Sequence, residues 1–408
     1  MSTLQTRWWV GPLTLATSLF SASAQTWNSV LPNAEYGLSG RGTAILVDAI
    51  ADAPAAESVL VASDQAVYRL SAENGDWSLP PLVQALGVNT TDPVKFSSLG
   101  YDRRTEALYA VGQRPSGGTQ LWTVCRSDPG DIASLYADDT FFLAKGKPSS
   151  ALDFAVDSAG NAYACGWAVF GQRHWIVRRK RFGQGLWATV SDLKSKGDCI
   201  ANAVTVVPGG VQFNPQDATF VVGHANQQWT IRRSLDQGTT WFDVDARWSR
   251  ANPNVIATDV AGDAEGRIHV VGHHYDIYEP AFLTGCVIRM SQTGGAPDTW
   301  ETVLDVKGGA GTLGAWTLGI GASGAVTLSG AIRPLDADAP HWAIIECQSP
   351  QNTLSWVAAY ESPHFPFGTL WSKGHAVGCN ATGAVFAVGE IAEPGGNNPQ
   401  VGLLRKDP

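Results

Sequence analysis

Residues 151–166 read ALDFAVDSAGNAYACG, and three later stretches repeat their plan. They are 255–272 (VIATDVAGDAEGRIHVVG), 316–330 (WTLGIGASGAVTLSG) and 375–389 (HAVGCNATGAVFAVG). Each is an alternating strand, a turn built on Gly with Asp, Asn, Ser or Thr, and an apolar strand that stops at Gly. Period-two alternation around such a turn is the signal of a β-hairpin. Two looser copies are 98–112, with the turn DRRTEA, and 203–223, with the insertion PGGVQFNPQD.

The closing glycines are Gly112, Gly166, Gly223, Gly272, Gly330 and Gly389, spaced by 54, 57, 49, 58 and 59 residues. A repeat of that length marks stacked supersecondary units. A third strand follows each glycine: 121–127 LWTVCRS, 174–180 HWIVRRK, 228–234 QWTIRRS, 286–291 CVIRMS, 341–347 HWAIIEC and 401–407 VGLLRKD. A fourth begins at Trp187, Trp241, Trp300 and Trp356. A four-stranded repeat that cannot bury both faces alone is the logic of a propeller blade.

The last repeat ends after its third strand, and Thr26-Trp27-Asn28-Ser29-Val30 resembles the fourth strands that start at Trp241 and Trp300. The N-terminal strand is therefore expected to complete the C-terminal blade, which removes the open sheet edges. A divergent blade, 44–50, 58–62, 66–71 and 77–83, lies between. The expected fold is all-β, a seven-bladed propeller of four-stranded antiparallel blades with almost no helix. Six blades, with residues 40–90 as an irregular cap, is the alternative count.

Residues 1–24 read as a signal peptide. Arg7 precedes an apolar stretch from Trp8 to Phe20, and Ala22-Ser23-Ala24 offers a cleavage site. That stretch is short and interrupted for a membrane span, and no later one has the length. Residues 25–408 are then one exported domain, secreted or in the periplasm or cell envelope, expected to be a monomer. Lys+Arg 28 against Asp+Glu 37 becomes 27 against 37 once Arg7 is removed, a net charge of about −10. That balance disfavours nucleic acid and anionic membranes as partners. The six cysteines match no metal-ligand spacing. Buried thiols and one or two disulfides are both open readings. Asn89 and Asn380 begin glycosylation sequons.

One segment carries a specific motif. Ser234-Leu235-Asp236-Gln237-Gly238-Thr239-Thr240-Trp241 fits S-x-D-x-G-x-T-W throughout. It resembles the Asp-box between the third and fourth strands of blades in the sialidase-like and sortilin-like propellers. Ser234, Asp236, Gly238, Thr240 and Trp241 are then expected to be structural: carboxylate and hydroxyl bind turn amides, Gly takes positive φ, and the ring packs into the blade. The resemblance covers eight residues as a strict motif and the whole of 25–408 as architecture. In sialidases three arginines clamp a carboxylate beside a Tyr–Glu pair and an Asp. Their early Arg-Ile-Pro signature is absent here, and Arg41 lacks that context. Arg178, Arg179, Arg232, Arg233 and Arg289 sit in third strands and read as blade-surface residues. No catalytic residues are assigned.

In such propellers the loops between strands two and three, with the links between blades, form the binding face. The richest loop is His273-His274-Tyr275-Asp276-Ile277-Tyr278-Glu279. A metal reading would use His273 or His274 with Asp276 and Glu279, but that spacing fits no standard set, and neither metal nor cofactor is expected. Neighbouring loops add Trp167, Phe170, His224, Asn226, Asp336, Asp338 and Asn397. Rings beside amides and carboxylates suit sugars. The expected role is non-catalytic recognition or scaffolding toward an extracellular or envelope glycan or protein. The alternative is a divergent glycoside hydrolase using first-strand residues such as Asp153 and Asp259.

Overall fold

The computed structural model describes residues 28–29, 42–47, 58–63, 66–71, 82–90, 92–212, 216–251, 254–274, 285–307, 312–321, 323–333, 341–347, 356–361, 371–380, 383–392 and 400–407. They form seven sheets. β1 (Asn28–Ser29) is discussed with the last blade. Blade one is β2 (Gly42–Val47), β3 (Ser58–Ser63), β4 (Val67–Ser71) and β5 (Leu82–Ala85). Blade two has five strands: β6 (Gly87–Asn89), β7 (Lys95–Asp102), β8 (Ala107–Ser116), β9 (Thr119–Asp128) and β10 (Asp131–Phe141). Blade three is β11 (Ser149–Val156), β12 (Ala162–Phe170), β13 (Gln172–Lys180) and β14 (Trp187–Leu193). Blade four is β15 (Cys199–Val207), β16 (Ala218–Ala225), β17 (Gln228–Ser234) and β18 (Phe242–Asp243). The short helix α1 (Ala246–Ala251) follows.

Blade five is β19 (Val255–Gly262), β20 (Ile268–His274), β21 (Gly285–Ser291) and β22 (Trp300–Lys307). Blade six is β23 (Thr312–Ile320), β24 (Val326–Arg333), β25 (His341–Cys347) and β26 (Trp356–Glu361). Blade seven is β27 (Trp371–Cys379), β28 (Val385–Ala392) and β29 (Gln400–Lys406), completed by β1. Asn28 pairs with Arg405 and Ser29 with Leu404. The closing strand thus takes its expected place, while Trp27 lies outside the described residues. Each blade's innermost strand, which is β7 in blade two and the first strand elsewhere, touches the innermost strand of the next, and β27 returns to β2. The ring is closed and these strands line the axis.

Two details depart from the uniform four-stranded plan. In blade two, β6 runs parallel to β10 and covers its outer edge. In blade four the strand expected from Trp241 shrinks to two residues, and α1 takes over the edge. Trp248 of α1 packs edge-on against Trp229 at 5.3 Å, so the helix supplies the apolar cover that a longer strand would have given.

The recurring glycine has a steric cause. A Cβ on Gly166 would stand 2.0 Å from the Ser150 carbonyl oxygen and 2.8 Å from the Trp122 ring. On Gly223 it would meet Ile200 O at 2.0 Å and Trp175 at 2.9 Å, and on Gly272 it would meet Ile256 O at 2.0 Å and Trp229 at 2.6 Å. Each of these three glycines is the slot into which the third-strand tryptophan of the preceding blade inserts. Trp122, Trp175 and Trp229 are accordingly among the largest fully buried side chains. Every innermost strand also slips by one residue against its neighbour at this level, between 42/44, 96/98, 151/153, 201/203, 257/259, 315/317 and 374/376. These are seven equivalent β-bulges, which bend a strand and re-aim the residues that follow.

Of the third-strand arginines, Arg178, Arg179 and Arg289 are buried, and Arg232 and Arg233 are partly exposed. Arg178 makes two bonds to Asp139 of blade two, at 2.6 and 3.0 Å, and Arg289 makes two to Asp245 of blade four, at 2.9 and 2.7 Å. Both are buried, because a blade's face is its interface with the next blade. The six cysteines stand as free thiols, five of them buried.

Candidate functional site

The residues that follow the bulges lie on the axial strands. Two of these are aspartates. Asp153 Oδ1 accepts from Ser98 Oγ of blade two at 2.6 Å, and Oδ2 accepts from the Val204 N–H of blade four at 2.8 Å. Asp259 Oδ2 accepts from Thr317 Oγ1 at 2.7 Å and from the Leu318 N–H at 2.9 Å, both in blade six. The first carboxyl therefore joins three blades and the second joins two. Each keeps some solvent access along the axis but is deeply surrounded by protein. Burial pushes the Asp153 carboxyl up to about 7, and the Asp259 charge adds to the rise. Burial likewise pushes Asp259 up to about 6, against the bonds from Thr317, Leu318 and Val260.

The hairpins between second and third strands, and the links between blades, gather at one end of the ring; the 1–2 and 3–4 turns occupy the other. Trp167, His224 and His273 are equivalent residues, each directly after the slot glycine of its blade. His273 is buried and pairs across the sheet with Ile256. His274 Nε2 lies 2.7 Å from Asp305 Oδ1. Tyr275, Asp276, Tyr278 and Glu279 lie outside the described residues, as do Asp336, Asp338 and Asn397. Burial pushes His224 down to about 4, so the ring is neutral at physiological pH. Its Nδ1 is buried with no hydrogen-bond partner among the described residues. Asn226 serves the backbone: with φ of 53° there and 62° at Gln227, the pair forms a two-residue hairpin turn between β16 and β17.

Blade three presents an aromatic and charged group at this end. The Phe170 ring is 64% exposed at the tip of its hairpin. Arg173 covers Trp167 at 4.8 Å and pairs with Asp198 at 3.3 Å. His174 Nδ1 stands 2.8 Å from Asp192 and meets Phe170 edge-on at 6.4 Å. Phe170 and Trp167 were legible as loop-end aromatics. Arg173, His174 and Asp198 were not, because only the fold shows that the link at 194–198 lies against the hairpin at 170–172. The Arg173 N–H donates to Asp198 Oδ1 at 3.1 Å, and Gln172 Nε2 donates to Ser195 O.

The S-x-D-x-G-x-T-W segment lies at the opposite end, and its polar groups bond to one another. Asp236 accepts from Ser234 Oγ at 2.9 Å, from the Thr240 N–H at 2.8 Å and from Thr240 Oγ1 at 2.6 Å. Ser234 Oγ accepts from the Gly238 N–H at 2.8 Å, and Trp241 Nε1 donates to Gly238 O and Val190 O, both at 3.1 Å. Gln237 and Gly238 have φ of 58° and 81°. Among the described residues no group of three or more His, Cys, Asp or Glu is placed to hold a metal ion, and no helix is long and apolar enough to cross a membrane.

No protein-family profile and no curated protein sequence matches the chain. Solved structures that it resembles include a periplasmic gluconolactonase of Pseudomonas aeruginosa, at 12% identity and TM-score 0.49, covering 85% of this chain and 93% of that one. An α-L-arabinofuranosidase of Fusarium graminearum is similar at 12% identity and TM-score 0.41, covering 74% and 89%. A protein of unknown function from Dyadobacter fermentans is similar at 14% identity and TM-score 0.44, covering 79% and 97%. Likeness of this degree assigns this chain neither activity nor substrate.

Proposed function

We propose that the chain is an exported, non-catalytic recognition propeller that takes a glycan at the end bearing the 2–3 hairpins. The observation that carries this reading is Phe170. A ring 64% exposed, beside the Trp167–Arg173 stack and the His174–Asp192 pair, offers an apolar platform with hydrogen-bonding groups around it. A sugar ring has the same two characters, a C–H face and a hydroxyl rim. The sialidase-like resemblance of the S-x-D-x-G-x-T-W segment fits a scaffold role for that turn, since its polar groups are spent on the turn itself.

A second reading, a divergent glycoside hydrolase, has one observation in its favour. Burial raises the carboxyls of Asp153 and Asp259 to about 7 and about 6, toward the range in which a carboxyl can serve as general acid. Against it, both carboxylates are already bonded between blades. A glycan array run beside a panel of chromogenic glycosides separates the two. Binding without turnover, weakened by Phe170→Ala, is the expected result. Turnover that disappears in Asp153→Asn or Asp259→Asn would overturn the non-catalytic reading.

A further inference from the structure

The chain is acidic, with a formal charge of −9, yet one arc of the loop end is basic. Five lysines stand exposed there: Lys95 at the start of β7, Lys145 and Lys147 in the link between β10 and β11, and Lys194 and Lys196 in the link between β14 and β15. None of the five has a carboxylate within salt-bridge distance among the described residues. Three carboxylates at this end of blades two to four each have another partner: Asp92 lies 3.9 Å from Arg114, Asp198 lies 3.3 Å from Arg173, and Asp192 lies 2.8 Å from the His174 ring.

The lysines bracket the aromatic platform. The Val169 N–H donates to Pro148 O at 3.0 Å, which ties the Phe170 hairpin to the link carrying Lys145 and Lys147. The Arg173 bond to Asp198 and the Gln172 bond to Ser195 tie the other side of the same hairpin to the link carrying Lys194 and Lys196. Phe170 thus stands between two pairs of uncompensated cations.

We infer that the ligand of this end is an acidic glycan, a chain of sugar rings bearing carboxylates or sulfates, lying across the Phe170 hairpin between the two lysine-bearing links. The inference rests on the glycan reading above and narrows it. An acidic glycan offers both features the surface complements, an apolar ring face for Phe170 and anionic groups on either side for the lysines. The repulsion from the rest of the chain is screened beyond about 8–10 Å in physiological salt, whereas the lysines act at contact. A single-stranded nucleic acid is the weaker fit. It needs a series of free stacking rings along a basic groove, and here Trp167 is already covered by Arg173.

The test is calorimetric titration of the full chain with oligomers of polygalacturonate, chondroitin sulfate, neutral dextran and single-stranded DNA, each at low and high salt. Four proteins are compared: native, Lys145→Glu/Lys147→Glu, Lys194→Glu/Lys196→Glu and Phe170→Ala, all checked for an unchanged melting temperature. The inference expects binding of the carboxylated or the sulfated oligomer that weakens with salt. Each double reversal should cost about tenfold or more in affinity, and Phe170→Ala should weaken the same interaction. Dextran binding that ignores the reversals would overturn the acidic class while leaving the glycan reading intact. Tighter binding of DNA than of either acidic glycan would also overturn it. Silence toward all glycans would remove both.

Discussion

At the scale of single residues, polar side chains divide into those that hold the ring and those that face solvent. Asp236 belongs to the first kind, since all its bonds are inside its own turn. Desolvation raises its carboxyl, but the bonds from Thr240, Ser234 and Thr239 together outweigh it and hold the carboxyl below the usual range. Asp236→Ala should lower stability by about 1 kcal/mol, as loss of a capping side chain does, and leave ligand affinity unchanged. Thermal melts and a binding isotherm on the same preparation check this. Asp153 and Asp259 give the opposite pH behaviour, because their folded pKa values lie above those of an unfolded carboxyl. The folded chain then binds more protons than the unfolded one from about pH 4 to about pH 7, so their contribution to stability declines as pH rises through that window. Measured from about pH 5 to about pH 8, the melting temperature of the native chain should fall relative to that of Asp153→Asn. A constant difference between the two curves would show that Asp153 does not titrate there.

At the scale of elements, the slot glycines and first-strand bulges set the spacing between blades. Gly166→Ala places a methyl 2.0 Å from a backbone oxygen that cannot move aside without shifting β11. Its cost should be about 1–3 kcal/mol or more, measured by denaturant unfolding. A neutral effect would mean that the blades separate more easily than this packing allows. The hairpins, the third strands and the positions of the glycines were legible in the sequence, because alternation of period two and turn residues are local signals. The steric use of the glycines was not, since the tryptophan that fills Gly166 is Trp122, from another blade. The β6 cover of β10 and the replacement of most of the last strand of blade four by α1 escaped for the same reason. Both depend on which edge a segment meets after the chain has folded. Alternation places the third-strand arginines on a blade face without saying that a neighbouring blade covers that face. Asp139 and Asp245, which pair with Arg178 and Arg289, are distant in sequence.

At the scale of the molecule, the ring is held shut by pairing between its two ends. Deleting residues 25–31 removes β1 and leaves the outer edge of β29 open. The melting temperature of the entire protein should drop, and a two-state transition should persist, because blade seven contacts blade one as well as blade six. An unchanged melting temperature would contradict closure by β1. The candidate site was only partly legible. Trp167, Phe170, His224 and His273 could be placed at the end bearing the 2–3 hairpins from repeat position alone, whereas the basic arc depends on links that converge only in the closed ring. We propose that this protein recognises its ligand at the hairpin end and performs no chemistry at the axis. The most direct measurement is the affinity of a glycan hit from the array for native protein, Phe170→Ala and Asp153→Asn, with product formation followed in the same samples. Affinity should be lost in Phe170→Ala and stay near native in Asp153→Asn, with no product in any sample. Product that forms with native protein and vanishes in Asp153→Asn, with Phe170→Ala unaffected, would contradict the proposal.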